Sequence, residues 1–98
     1  MVETVIWSQR AERNYRSMLD YLAHEASLQA ADNLNKSVRK TINALMLNPG
    51  SGRPTTTSNT IRFINIAKHR QMFYRQSGKT LHIVAFFDVR QHPDKRPF

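Results

Sequence analysis

The chain contains no cysteine, a single tryptophan and only three glycines among its 98 residues. The lack of cysteine excludes disulfides and thiolate metal sites, and it is typical of proteins of a reducing cytoplasm. No apolar run approaches the roughly 18–20 residues that a membrane-spanning helix needs. The N-terminus carries Glu3 and no basic segment followed by an apolar one, so nothing indicates export. We therefore expect a cytoplasmic protein with no membrane partner.

Acidic residues are also scarce, since seven Asp and Glu stand against fifteen Lys and Arg, which gives a net charge of +8. The excess is uneven: residues 1–48 carry six basic and five acidic side chains, whereas residues 49–98 carry nine and two. Concentrated positive charge indicates a polyanionic partner, either nucleic acid or an acidic protein. The alternative is a solvated basic face without a dedicated partner.

The length predicts one domain, residues 1–98, because domains usually contain about 100–150 residues. A chain of this size buries roughly 60–70% of its unfolded surface. Its core is therefore modest, and we expect it to gain stability from a partner.

Two amphipathic helices are the clearest local prediction. Ser8 precedes apolar residues spaced by three and four positions over 11–26, and Ser27 precedes a similar series over 31–45. Serine is a favoured N-cap, so each serine marks the expected start of a helix. We predict a hairpin of two long helices, preceded by a short apolar strand at residues 5–7.

The second half of the chain predicts strands. Residues 48–54, NPGSGRP, hold two of the three glycines and two of the four prolines, which indicates a loop. Apolar segments at residues 61–66, 69–76 and 80–89 follow, and Ser77-Gly78-Lys79 predicts a hairpin turn between the last two.

The last predicted strand is apolar on both faces, which indicates an internal position covered on both sides. Strict alternation would put Leu81, Ile83, Ala85 and Phe87 on one face and Val84 and Phe86 on the other. The predicted order is β-α-α-β-β-β. This order predicts an α+β fold in which a helical hairpin packs on a small, largely antiparallel sheet.

Three short motifs occur along this order: GRP at residues 52–54, FYR at residues 73–75 and FFDVRQHP at residues 86–93. Together they resemble the RelE/ParE toxin family of bacterial type II toxin–antitoxin modules, over nearly the whole chain. The resemblance implies a small basic toxin, neutralised by a cognate acidic antitoxin whose flexible C-terminal segment wraps around it. It also implies two alternative activities. ParE-type members bind DNA gyrase and trap cleaved DNA, whereas RelE-type members cut mRNA on the ribosome.

The ribonuclease alternative requires a base for the ribose 2′-hydroxyl, cations for the developing phosphorane charge and an acid for the leaving 5′-oxygen. The resemblance implies four candidates for these roles: Arg62, Arg70, Arg90 and His92. The sequence departs from the pattern of such ribonucleases at two positions, because Ile64 and Gln71 stand where basic residues are expected.

The final motif departs from that pattern as well. Asp88 stands where many relatives have a histidine, and a carboxylate is a poor general acid that repels phosphate. No tyrosine follows Tyr74, and Phe98 at the end of the chain cannot donate a proton. His92 is the one remaining candidate acid, and it leaves the ribonuclease alternative open.

The gyrase alternative needs an exposed helical hairpin, a basic surface and a packed sheet, but no catalytic set, and we favour it. We expect the target-binding surface to include Arg13, Arg16, Lys36, Lys40, Arg53, Arg62, Arg70, Asp88 and Arg90. Within this surface we expect Arg90 to act as the main binding cation, oriented by Asp88. The structural alternative is that Asp88 and Arg90 form an ion pair that only fixes the end of the strand.

A third alternative is an inactive basic module that only binds other molecules.

The sequence predicts no metal and no cofactor, because its histidines are scattered, no carboxylate stands at ligand spacing, and no glycine-rich phosphate loop is present. We expect Trp7 and Tyr74 in the core rather than at a site.

Overall fold

The computed structural model describes residues 2–90 and 96–98, and the candidate acid His92 lies outside this part of the chain. Helix α1 (Gln9–Glu25) and helix α2 (Leu28–Leu47) form the predicted hairpin. Ser8 and Ser27 are their N-caps, as predicted, and each hydroxyl accepts a hydrogen bond from the backbone N–H three residues on, at 2.9 and 3.0 Å. The Tyr15 hydroxyl donates to Asn35 Oδ1 at 2.6 Å and joins the two helices.

The strands are β1 (Thr4–Trp7), β2 (Arg53–Pro54), β3 (Arg62–Ala67), β4 (Arg70–Ser77) and β5 (Thr80–Asp88). They form one sheet in the order β1-β5-β4-β3-β2, in which β1 is parallel to β5 and every other pair is antiparallel. The α+β fold and the largely antiparallel sheet are confirmed. Strand β2 is additional to the prediction, because its two residues lie in the segment whose glycines and prolines indicated only a loop.

Strand β5 is internal, as predicted, but its faces do not alternate throughout. The register of β4 against β5 shifts, so that Tyr74 pairs with Ile83 while the preceding Phe73 pairs with Ala85. Val84 is the extra residue of this β-bulge. Because a bulge reverses the alternation that follows it, Phe86 packs toward the helices together with Ile83. The predicted assignment of faces is therefore wrong beyond Val84.

Helix α1 closes the free edge that β5 presents beyond the end of β1. The Ser8 hydroxyl donates to the carbonyl oxygen of Val84 at 2.7 Å, and Asn14 Oδ1 accepts from the Phe86 backbone N–H at 3.2 Å. These two hydrogen bonds satisfy the Val84 carbonyl and the Phe86 N–H, which the bulge and the short β1 leave without a partner on a neighbouring strand.

The sheet separates two apolar clusters. The larger cluster lies between the sheet and the helices and includes Leu45, Met72, Tyr74 and Ile83, each fully buried. Trp7 packs against it, so Trp7 and Tyr74 belong to the core as predicted. The smaller cluster lies on the opposite side of the sheet, which we call the outer face. Its members are Phe73, Ala85 and Phe87, with Ile61, Phe63, Val84 and Phe98 packed against them.

Within residues 2–90 and 96–98, neither helix is long and apolar enough to cross a bilayer.

Candidate functional site

The end of β5 carries the charged residues that the sequence singled out. Asp88 is buried, with 3% of its side chain exposed, and its Oδ2 lies 3.3 Å from Nη2 of Arg70 on the neighbouring strand. Its other carboxylate oxygen accepts a hydrogen bond from the Arg90 backbone N–H at 2.9 Å. Asp88 therefore links β4 to the turn after β5. It orders the backbone from which the exposed Arg90 side chain extends.

Two cavities adjoin this ion pair on the helix side of the sheet. The larger, about 370 Å³, is lined by the end of α1, the Arg70–Asp88 pair and Arg90. The smaller, about 240 Å³, is lined by Leu22, Leu34 and Ala67 among others, and it shares Leu22 and Arg70 with the larger one. We call the two cavities together the helix-side groove.

The groove combines an apolar wall with charged side chains of both signs, because Glu25 and Asp88 line it beside Arg70 and Arg90. Leu22, Ala26 and Leu34 supply apolar surface from both helices. Arg70 is only 17% exposed, and its Nε has no hydrogen-bond partner in the described part of the chain. The half-buried Arg70, with its spare Nε donor, and the exposed Arg90 at the opening suit an apolar segment that carries carboxylates.

Arg62 lies at the other end of the sheet and holds a loop. Its Nη1 donates to the Gly52 carbonyl oxygen at 2.8 Å. The Tyr74 hydroxyl accepts from the Gly52 N–H at 2.9 Å and donates to the Pro49 carbonyl oxygen at 2.7 Å. Burial raises the pKa of Tyr74, and the Gly52 hydrogen bond and the nearby Arg62 charge oppose the rise. These contacts fix the turn that presents the exposed Arg53.

Gly52 is required here by space rather than by backbone conformation, since its φ of −74° is available to any residue. A Cβ at this position would collide with the Tyr74 hydroxyl and would lie 2.9 Å from the Phe63 carbonyl oxygen. The glycine of the GRP motif is therefore explained by its close contact with the tyrosine of the FYR motif.

The remaining predicted target-binding residues lie on the hairpin. Arg13 and Arg16 are exposed on α1, and Lys36 and Lys40 are exposed on α2. Lys36 pairs with Asp32 one turn earlier, at 3.1 Å, and both partners are exposed. The four cations belong to the solvent side of the hairpin, away from the sheet.

The structure brings Arg70 and Arg90 to one cavity but places Arg62 apart from them. Arg62 on β3 pairs with Tyr74 on β4, and Arg70 lies four residues before Tyr74 on β4. At the usual rise per residue this separates the two arginines by about 13 Å along the strand direction. Gln71, which replaces an expected arginine, pairs with Phe87 on the outer face, opposite to Arg70. Arg70 therefore does not occupy the place of that arginine.

Among the described residues no group of three His, Cys, Asp or Glu side chains could hold a metal ion.

The sequence did not predict the contacts made by the end of the chain. The contacts of Arg96 and Phe98 with the outer face were not foreseen. Arg96 lies over the Phe63 ring at 4.5 Å, and Phe98 packs on Phe73 with ring centroids 5.4 Å apart. The aromatic residues Phe63 on β3 and Phe73 on β4 were the available signal.

Comparison with protein families shows which family the chain matches. The model described as the ParE toxin of the type II toxin–antitoxin system parDE matches residues 5–93. A comparison with curated proteins finds no match.

Solved structures of similar fold include three that cover most of this chain. The chromosomal ParDE system from P. aeruginosa has a TM-score of 0.74 at 17% identity, over 89% of this chain and 96% of that one. The YoeB/ParE toxin from Agrobacterium tumefaciens has a TM-score of 0.63 at 13% identity, over 86% and 95%. The E. coli DinJ–YafQ toxin–antitoxin complex has a TM-score of 0.64 at 10% identity, over 93% and 97%. At these identities the likeness shows a shared fold.

Proposed function

Because the chain belongs to the ParE toxin family of type II toxin–antitoxin systems, we propose that it inhibits growth by binding DNA gyrase. The observation that carries this proposal is that each of its two strand arginines is already bound to another group of the protein. Arg62 is bound to the Gly52 carbonyl and Arg70 to Asp88, and the two arginines lie about 13 Å apart along the strand direction of the sheet. A metal-free ribonuclease needs its cations to converge on one phosphate, so this arrangement supports binding rather than cleavage.

The hairpin offers the gyrase-binding surface. Its helices contain 17 and 20 residues, which correspond to about 25 and 30 Å of length. The exposed cations Arg13, Arg16, Lys36 and Lys40 on the two helices would make the contacts with an acidic surface, although the hairpin as a whole is only slightly positive. Arg90 extends this positive surface to the end of the sheet.

The helix-side groove is the proposed antitoxin site. Its apolar wall and the partly satisfied Arg70 suit an amphipathic acidic segment, whose carboxylates would bind Arg70 and Arg90. Such a segment would also add apolar burial to a small core, and a ligand that binds only the folded state raises its stability. We expect the antitoxin to be a small acidic protein encoded beside this one.

The test is induced expression in bacteria, followed by assays on purified protein. We expect filamentation with DNA-damage signalling, inhibition of gyrase supercoiling and intact mRNA on programmed ribosomes. Arg90→Ala should lose most of the toxicity and still fold, whereas Lys79→Ala, an exposed cation at the opposite end of β5, serves as the matched control. His92→Ala should retain toxicity, because binding needs no proton transfer.

Three outcomes would contradict parts of the proposal. Cleavage of ribosome-bound mRNA that disappears in His92→Ala would establish the ribonuclease alternative. The absence of any growth phenotype would establish an inactive binding module. Full toxicity after charge reversal at Arg13 and Lys36 would place the gyrase-binding surface elsewhere.

A further inference from the structure

The helix-side groove contains two side chains of opposite charge that can each take a further partner. The first is Glu25, the last residue of α1, whose carboxylate forms no ion pair or hydrogen bond with any residue in 2–90 or 96–98. A carboxylate at the C-terminal end of a helix is disfavoured, because the helix dipole places partial negative charge there. A cation bound beside Glu25 would therefore be stabilised by both.

The second is Arg70, which is bound on one side only. Its Nη2 lies 3.3 Å from Oδ2 of Asp88, whereas its Nε has no hydrogen-bond partner among the described residues. A guanidinium carries five N–H donors in a fixed fork, and a carboxylate matches that fork. Arg70 can therefore bind a second carboxylate while it keeps Asp88.

Both side chains line the larger cavity, so a ligand of this cavity of about 370 Å³ meets a carboxylate and a guanidinium at once. Asp88 and Arg90 line the same cavity and add one charge of each sign. Glu25 would repel a simple anion, and Arg90 would repel a simple cation. The charges of the cavity are thus complementary to a zwitterion.

The smaller cavity offers space for an apolar group beside these charges. It measures about 240 Å³ and joins the larger cavity at Leu22 and Arg70. This volume is about eight times the roughly 30 Å³ that one water occupies in the liquid, so it accommodates a branched or aromatic side chain. The uncharged residues that line it are Leu22, Ala30, Asn33, Leu34, Ser37 and Ala67.

We propose that the groove binds a free apolar α-amino acid. The carboxylate of the ligand binds Arg70, its ammonium group binds Glu25, and its side chain enters the smaller cavity. This site goes beyond growth inhibition and does not depend on gyrase. Competition with the antitoxin is the one consequence that rests on the proposed function, because an antitoxin segment in the groove would need the same Arg70.

The experiment measures the binding of L-leucine and L-phenylalanine to the purified full-length protein by titration calorimetry. Two analogues of leucine each lack one charged group, since isocaproate has no ammonium group and isopentylamine has no carboxylate. We expect each analogue to bind at least about ten-fold more weakly than L-leucine, because each loses a charge-assisted hydrogen bond. Glycine should also bind at least about ten-fold more weakly, because it leaves the smaller cavity empty.

Two variants separate the charged contact from the apolar one. Glu25→Gln should weaken L-leucine binding about ten-fold and should not weaken isocaproate binding, because isocaproate has no ammonium group. Glu12→Gln, which changes an exposed carboxylate in the first turn of the same helix, is the matched control and should leave both affinities unchanged. Ala30→Leu should fill the smaller cavity and abolish the preference for L-leucine over glycine. Circular dichroism checks that each variant folds.

Three results would overturn the proposal. They are the absence of binding of either amino acid at millimolar concentration, isocaproate binding as tight as L-leucine binding, and an L-leucine affinity that neither Glu25→Gln nor Ala30→Leu changes. A competition titration with the antitoxin keeps this inference distinct from the proposed function. Amino-acid binding that leaves the antitoxin affinity unchanged supports the inference and contradicts only the placing of the antitoxin in the groove.

Discussion

The contact between Gly52 and Tyr74 predicts a strong coupling between two motifs that lie 22 residues apart. Tyr74→Phe removes the acceptor of the Gly52 N–H and the donor to the Pro49 carbonyl. The first of these bonds is buried and the second is partly buried. An unsatisfied buried backbone group costs about 1–3 kcal/mol, and water compensates part of the loss at Pro49. We expect the free energy of unfolding to fall by about 2–3 kcal/mol.

Gly52→Ala should also destabilise, for a steric reason. Its Cβ would overlap the Tyr74 hydroxyl and approach the Phe63 carbonyl oxygen, while the backbone conformation is one that alanine adopts freely. Overpacking of this kind typically costs about 1–3 kcal/mol. Gly50→Ala is the matched control, because the nearest atom to its Cβ would be Asn48 Oδ1 at 4.0 Å.

The double variant Gly52→Ala/Tyr74→Phe should cost less than the sum of the single ones. Removing the hydroxyl removes the worst overlap, so we expect a coupling of about 1 kcal/mol or more, within the range for residues in contact. Urea denaturation gives the free energies. In a domain of this size each kcal/mol lowers Tm by about 4–8 °C. Additivity within about 0.5 kcal/mol would refute the close contact as the reason for this glycine.

Three further predictions concern the rest of the fold. Ser8→Ala should lower the free energy of unfolding by about 1–2 kcal/mol, because it removes an N-cap and a bond to the β5 bulge, and an unchanged urea midpoint would contradict this. Arg70→Met should destabilise by up to about 3–5 kcal/mol, since it removes the cation bound to buried Asp88, and a loss under 1 kcal/mol would show that water enters the pair. Burial raises the pKa of Tyr15 and Tyr74 above the ordinary 10.0, so their contribution to stability is complete below pH 10 and is lost as pH rises through the higher folded values. Denaturation at pH 9 to 12 should therefore show a smaller loss in Tyr15→Phe than in the wild type, and equal losses would contradict the raised pKa.

Local features of the sequence were sufficient to predict the helices. Ser8 and Ser27 act on backbone groups three residues away, and apolar spacing of three and four positions is visible in any short window. The α+β order and the pairing of the last strands follow from similar local patterns. The N-caps, the hairpin and the internal position of β5 are accordingly confirmed.

Features that depend on distant residues could not be read in this way. The Val84 carbonyl oxygen at the bulge accepts a hydrogen bond from Ser8, which is 76 residues away in the sequence. The contact of Asp88 with Arg90 follows from their closeness in the sequence, whereas the ion pair of Asp88 with Arg70 depends on the pairing of β4 with β5. The covering of the outer face depends on contacts between Phe98 and β4 that no periodicity reports. The candidate site is therefore less predictable than the fold that holds it.

The parallel pairing of β1 with β5 determines when the protein can complete its fold during synthesis. Thr4 pairs with Thr80, so the first strand has no partner in the sheet until the chain has been made to about residue 80. Contacts between residues this far apart form late, because a long loop must close before they contribute any stability. The Arg70–Asp88 pair in the groove likewise waits for the last residue of β5. A nascent chain of this protein thus lacks both its complete core and its complete groove until β5 has been made.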